Sequence, residues 1–184
     1  MDIGAAREGE TVLVIGGGVI GLMAVQLAKL AGAEVLLLTR SPEKQALGLN
    51  IGADYAVGAE SEVRKIWPEG ADLVVECAGV SATVTLSHKL ARSGGRVVIL
   101  GVISQGEQVP IEPFDMLFRE IQMHFSFLNP FTHDRAAQMI ADGTINVSPL
   151  VSRIISLEEA ALAISSPPPK GEVRTIVVPK HDEK

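Results

Sequence analysis

Along the first two-thirds of the chain, short unbroken apolar runs alternate with stretches whose polar residues recur at helical spacing. Residues 12–15, 34–38, 54–57, 72–76, 96–100 and roughly 122–127 read as strands of mostly Val, Ile and Leu. Helices are predicted from about residue 19, over 42–50 with Pro42 in the first turn after Ser41, and over 81–91, while Ser93, Gly94 and Gly95 form the turn before the fifth strand. Continuous apolar strands separated by helices imply a parallel sheet covered on both faces, with right-handed crossovers. The predicted fold is therefore α/β, a doubly wound six-stranded parallel sheet of the Rossmann type, followed by a C-terminal αβαβ extension. In that extension the pattern gives a helix over 132–141, a strand at 150–155, a helix over 157–164 and a last strand at 173–178. Ser156 with Glu159 three residues on is the signature of a capped helix start. The division expected is residues 1–127 as the doubly wound domain and 128–184 as a C-terminal segment.

The junction of the first strand and first helix carries the chemistry. Residues 11–33 read TVLVIGGGVIGLMAVQLAKLAGA, a GxGxxG element between a β-branched run and an amphipathic one. Gly16 can take the tight turn, Gly18 admits a pyrophosphate to the backbone, and Gly21 lets the helix pack closely. The amides of Gly18, Val19 and Ile20 then open a helix N-terminus, where unpaired N–H groups and the helix dipole attract phosphate. In this fold an acid about 20 residues past the glycines binds the adenosine ribose, whereas an Arg accommodates a 2′-phosphate. Here the second strand runs into Thr39, Arg40 and Ser41, and Glu34 sits at the strand's far end. Two hydroxyls and a guanidinium suit a phosphate, so NADP(H) is favoured over NAD(H). If Arg40 is instead a solvated loop residue or stacks on adenine, either cofactor fits.

Composition narrows the classes. A chain of 184 residues, 47% hydrophobic and 21% charged, suits a soluble α/β protein, and its net charge of −6 argues against nucleic acid as a partner. The lone Cys77 excludes an internal disulfide and a Cys-rich zinc site, and a reducing cytoplasm is the expected location. The first ten residues hold three acids and an arginine with no apolar core, unlike a secretory signal. Residues 11–28 run 18 positions without a charge, the lower edge for a membrane span. The glycine triplet in their centre makes strand and turn the better reading, so no membrane association is expected.

The ordered segments GETVLVIGGGVIGLMAVQLAKLAGAEV, SPEKQALGLNIGAD, DLVVECAG, GGRVVILG and VSPLVSRIISLEEAALAI resemble the C-terminal half of medium-chain, zinc-type alcohol, polyol and threonine dehydrogenases. The likeness runs from about Gly9 to the end. It implies that Gly16, Gly18, Val19, Ile20 and Gly21 hold the pyrophosphate, that Thr39, Arg40 and Ser41 form the ribose or 2′-phosphate site, and that Lys44 lies near the adenosine ribose. By the same resemblance Cys77 and Ala78 border the cofactor, Leu100, Gly101 and Val102 meet the nicotinamide, and Ser126 and Phe127 contact its carboxamide. One departure is Phe125, preceded by His124, where the family often has a glycine before the Ser-Phe pair.

The resemblance also implies an N-terminal domain of about this chain's own size that bears the catalytic zinc and substrate pocket. The four histidines, His88, His124, His133 and His181, are widely separated and read as surface or packing residues, Cys77 as a small buried apolar residue, and no catalytic residue is nominated. The chain accordingly reads as the cofactor-binding portion of an alcohol- or polyol-type oxidoreductase, inactive without the zinc-bearing domain, with a homo-oligomer expected and the late strands exposing edges and apolar faces. The competing readings are a stand-alone dinucleotide-sensing module, the cofactor domain of a zinc-free quinone reductase, and a methyltransferase using the glycine loop for S-adenosylmethionine.

Overall fold

The computed structural model describes residues 2–128 and 131–179; His181 lies outside them. Six parallel strands form the main sheet: β1 (Thr11–Ile15), β2 (Glu34–Leu38), β3 (Tyr55–Val57), β4 (Ala71–Glu76), β5 (Ala91–Ile99) and β6 (Gln122–Phe125). Their order is β3-β2-β1-β4-β5-β6, so the direction of winding reverses between β1 and β4. Ligands of open α/β sheets bind at such a reversal, beyond the carboxyl ends of the strands.

Alternation within each strand divides the apolar side chains between two faces. Val12, Val14, Val35, Leu37, Leu73, Val75 and Val98 form one core with Leu22, Ala24, Val25 and Ala28 of α1 (Val19–Leu30). Leu47 of α2 (Pro42–Asn50) packs against that core, and Gly48 approaches so closely that an added Cβ would meet Leu37 Cδ2 at 2.4 Å. On the other face Leu13, Ile15, Leu36, Leu38, Val74, Val97 and Ile99 meet Val63 of α3 (Glu60–Ile66), Trp67, and Val84 and Leu90 of α4 (Ser81–Leu90). These central positions are buried on both faces because helices cover both, and each buried aliphatic side chain contributes about 1.5–3 kcal/mol.

After α5 (Pro113–Phe118) and β6 the chain forms α6 (His133–Ala141), a single 3₁₀ turn at Ser148–Leu150, and a separate two-stranded parallel sheet. That sheet is a βαβ unit of β7 (Val151–Ser156), α7 (Leu157–Ser165) and β8 (Arg174–Val178). Ser156 and Glu159 close the expected cap, Ser156 N donating to Glu159 Oε2 at 2.8 Å and Glu159 N to Ser156 Oγ at 3.4 Å. Leu150 packs into the α1-side core, and Gln26 of α1 exchanges two hydrogen bonds with the backbone of Asn146, at 3.0 and 2.8 Å.

The observed elements differ from the predicted ones chiefly in three respects. The turn expected at Ser93, Gly94 and Gly95 lies inside β5, where the pairing shifts register between Ala71–Ala91 and Leu73–Arg96. The sixth strand ends at Phe125, which leaves Ser126 and Phe127 beyond it. Two short helices, α3 and α5, have no counterpart in the predicted set. Among the described residues no helix is long and apolar enough to cross a membrane.

Candidate functional site

The carboxyl ends of the parallel strands form one rim, and the glycine turn lies at its middle. Gly16 leaves β1 with φ +110°, its N–H bonded to Leu38 O at 2.9 Å. An added Cβ there would stand 3.0 Å from Ala78 N, so this turn presses directly on the end of β4. Gly17 is equally confined, its Cβ position lying 2.8 Å from Thr39 Oγ1 and 3.0 Å from Lys44 Cβ. At Gly21 a Cβ would fall 1.8 Å from Gly16 O, so the close packing demanded of this glycine is against the turn's own backbone.

Gly18 is the exception, for nothing lies within 4 Å of its Cβ position. It is the N-cap of α1 and supplies no side-chain cap. The amides of Val19, Ile20 and Gly21 have no acceptor within the helix and lie at the positive end of its dipole. The open space at Gly18 leaves room for a group to approach this backbone closely, and a helix N-terminus suits an anionic one.

At the end of β2, Thr39 N bonds to Val57 O at 2.9 Å, and Gln45 Nε2 donates to Thr39 O at 2.8 Å. Arg40 is exposed, with no ion pair among the described residues. Ser41 caps α2, accepting from Lys44 N at 3.4 Å, and its hydroxyl donates to Glu43 Oε2 at 2.6 Å. That hydroxyl, above all, and the Lys170 ammonium 3.0 Å from Glu43 Oε1 hold the Glu43 carboxyl down at about 2. Glu43 is ionised throughout the neutral range.

The end of β4 is organised by Glu76, which is fully buried. Its Oε1 accepts from Ala78 N at 2.8 Å, Gly79 N at 3.0 Å and Thr83 Oγ1 at 2.7 Å. Cys77 is bonded through its N–H to Ile15 O at 2.8 Å, and burial, then the nearby Glu76 charge, pushes its thiol up to about 12. A thiol so disfavoured as thiolate fits a packing role and not a nucleophile's. Gly79, with φ +67°, interlocks with the end of β5: its Cβ position lies 2.8 Å from Val102 O and 2.9 Å from Val102 N. Leu100 N and Gly101 N both donate to Glu76 O, and Ser126 N donates to Ile99 O at 3.0 Å.

The rim therefore joins Gly16, Gly18 and Gly21 to Thr39, Ser41 and Lys44 on one side, and to Cys77, Ala78, Leu100 and Gly101 on the other. Four nominated residues contribute little packing: the side chains of Ile20, Val102 and Phe127 are exposed, as is Arg40. A cavity of about 640 Å³ lies away from the glycine turn, lined by α1, α6 and strand residues, and touches the rim only at Leu100 and Ser126. Gly17, Glu43, Glu76, Gly79 and Lys170 were not nominated from the sequence. The signals available were the middle glycine of the GGG triplet and the acid that closes the DLVVE run.

His88 is fully buried, whereas His133 is exposed and His124 half-buried. Among the described residues no group of three or more His, Cys, Asp or Glu side chains gathers as a metal site.

A family model described as zinc-binding dehydrogenase matches residues 19–142. Human sorbitol dehydrogenase is 30% identical over 174 residues, which cover 89% of this chain and 48% of that protein. A zinc-binding dehydrogenase from Sinorhizobium meliloti 1021, bound to NADP, superposes with a TM-score of 0.93 at 49% identity, over 97% of this chain and 55% of that one. An alcohol dehydrogenase from Thermus sp. ATN1 gives a TM-score of 0.88 at 30% identity, with coverage of 97% and 55%. The chain spans about half the length of the curated relatives it matches.

Proposed function

Since this chain belongs to the zinc-binding dehydrogenase family, we propose that it is the cofactor-holding part of an alcohol- or polyol-type oxidoreductase and that it binds NADP(H). The observation that carries the reading is the open backbone cradle at Gly18, placed where the sheet reverses direction and where Gly16 and Gly21 cannot bear a side chain. Gly16, Gly18, Val19, Ile20 and Gly21 receive the pyrophosphate. Thr39, Arg40 and Ser41 take the 2′-phosphate, with Lys44 beside the ribose. Cys77, Ala78, Leu100, Gly101, Val102, Ser126 and Phe127 border the nicotinamide half along the rim. When bound, the dinucleotide supplies the carbon that gives or accepts hydride.

The part played by this chain is to bind and orient. The backbone cradle fixes the phosphates without a mobile side chain, and the interlocked Gly79–Val102 contact holds the ends of β4 and β5 as one rigid wall. The residues that would hold zinc and substrate belong, on this reading, to a second domain of similar size. Residues 1–127 serve as the dinucleotide-binding domain, and residues 128–184 return toward that second domain. The NADP-bound Sinorhizobium meliloti relative supports the cofactor choice, and the sorbitol dehydrogenases support a polyol or secondary alcohol as the substrate class. A cytoplasmic location and assembly with further copies of the chain complete the proposal.

The test is a titration of the chain with NADPH and with NADH, following nicotinamide fluorescence and thermal shift together. Tight NADPH binding with weak NADH binding is expected, and Arg40→Asp abolishes the preference. Equal affinities overturn the choice of NADP, and binding of neither overturns the cofactor role.

A further inference from the structure

The ribose end of the rim holds a carboxylate that a 2′-phosphate has to tolerate. Glu43 Oε2 accepts the Ser41 hydroxyl at 2.6 Å, and Glu43 Oε1 meets Lys170 Nζ at 3.0 Å. One carboxylate thus bridges a hydroxyl assigned to the phosphate and a cation from a remote part of the chain. Left uncompensated, it would repel the phosphate and keep the Ser41 hydroxyl for itself.

Lys170 lies on the segment between α7 and β8, and backbone contact as well as charge places it there. The next residue, Gly171, has φ +77°, and an added Cβ would stand 2.8 Å from Glu43 Cβ. The segment is therefore pressed against the first turn of α2 at the point where the ammonium reaches the carboxylate. Pro169, Lys170 and Gly171 share a small surface cleft with Glu43 and with Arg153, whose own guanidinium is paired with Glu172 at 3.1 Å. Arg153 is committed to that pair, so Lys170 is the cation set against Glu43.

We propose that Lys170 is a cofactor-specificity residue acting from the C-terminal segment: it neutralises Glu43, and when a 2′-phosphate enters it faces both anions while the Ser41 hydroxyl turns from Glu43 to a phosphate oxygen. The inference rests on the reading that Thr39, Arg40 and Ser41 receive the 2′-phosphate. Without Lys170, the positive charges of Arg40 and Lys44 face Glu43 and a phosphate dianion together. With it, Glu43 is balanced and Arg40 and Lys44 are left for the phosphate. NADH carries no 2′-phosphate and is insensitive to this balance. For one exposed charge a few ångströms from a dianion, partly screened by salt, the effect is about three- to tenfold in affinity.

The experiment measures NADPH and NADH affinities of the full chain by fluorescence titration at low and at physiological ionic strength. The variants are Lys170→Met, Lys170→Arg, Glu43→Gln and Glu43→Gln/Lys170→Met, with Arg40→Ala as the control for the cofactor reading. Lys170→Met is expected to weaken NADPH about three- to tenfold, less at high salt, with NADH unchanged. Lys170→Arg retains the wild-type value, Glu43→Gln tightens NADPH, and Lys170→Met has a smaller effect once Glu43 is Gln. Wild-type NADPH affinity in Lys170→Met, or an equal loss for both cofactors, overturns the inference while the cofactor reading stands. A wild-type chain without NADPH preference, or a preference untouched by Arg40→Ala, overturns the reading itself and the inference with it.

Discussion

Gly18 and Gly21 sit three residues apart in one turn, yet their surroundings predict opposite defects. A methyl group at Gly21 would strike Gly16 O, which is backbone and cannot move aside without opening the turn. Gly21→Ala is expected to cost about 2–4 kcal/mol of stability, read by chemical denaturation. Gly18 has φ −81° and open space beside it, so Gly18→Ala should change stability by no more than about 0.5 kcal/mol. Its methyl would enter the proposed phosphate cradle, and NADPH affinity should fall about tenfold or more, equivalent to about 1.4 kcal/mol. A large loss of stability in Gly18→Ala with unaltered affinity would contradict the cradle. His88 makes a prediction of a different kind. Its ring is fully buried with both nitrogens unpartnered among the described residues, and burial first, with Lys89 and Arg119 adding to it against Asp115 and Glu112, lowers its pKa. Well above a pH of about 6.5 the ring is neutral in folded and unfolded chains alike and pH has no leverage through it. As pH falls below that value, the unfolded chain takes up a proton that the folded one refuses, so stability declines, by at most about 1.4 kcal/mol per pH unit for one proton. Melting temperatures of the wild type and His88→Leu between pH 7.5 and 5.5 check this. The wild type should lose more on acidification, and parallel curves would remove His88 from the account.

At the scale of elements, α1 ties together the glycine turn, the sheet and the C-terminal segment, and Gln26 makes the last connection. It is a buried polar residue on the helix's apolar side, and its amide pairs with both the N–H and the C=O of Asn146. Replacing it with Leu leaves two backbone groups without that partner, and a loss of about 1–3 kcal/mol is expected in urea denaturation. A stability within about 0.5 kcal/mol of wild type would mean that water replaces the side chain without penalty. Most elements were legible from the sequence because continuous Val, Ile and Leu runs bounded by Gly, Pro and Ser leave few alternatives. The helices α3 and α5 were not, since seven and six residues make fewer than two turns and give no periodicity to read. Gly94 and Gly95 resembled a turn, and although both lie within the bounds of β5, its pairing with β4 lapses after Ala91 and resumes at Arg96, with Gly94 at φ +71° between them. The rim could be anticipated because parallel strands bring their carboxyl ends to one edge, whatever the helices between them do. Lys170 could not, because its contact with Glu43 depends on how distant segments dock, whereas the three donors on Glu76 Oε1 come from the residues that directly follow it and need only the turn after β4.

For the whole molecule the decisive contrast is between the two sheets. The main sheet is covered on both faces, whereas the β7–β8 unit leaves Ile154, Leu157, Leu162, Ile164, Val177 and Val178 exposed. A two-stranded unit has little core of its own, and each of its strands has only one neighbour within the unit. Phe114, Leu117, Phe118, Phe125 and Phe127 add a further group of exposed large apolar residues around α5 and β6. Apolar surface gathered in this way favours association over solvation, at about 25 cal/mol per Å² removed from water. The chain should therefore associate with itself in solution. Sedimentation velocity over a hundredfold range of concentration is expected to give a mass that rises above 19.5 kDa as concentration increases. The double substitution Ile154→Lys with Leu162→Lys adds charge to one of the two exposed groups and removes nothing that is buried. A mass lowered by it places the contact on the β7–β8 unit, and a mass left high places it on α5 and β6. A single species of 19.5 kDa throughout would show that these faces remain in water and that the apolar groups are too dispersed to act as a patch.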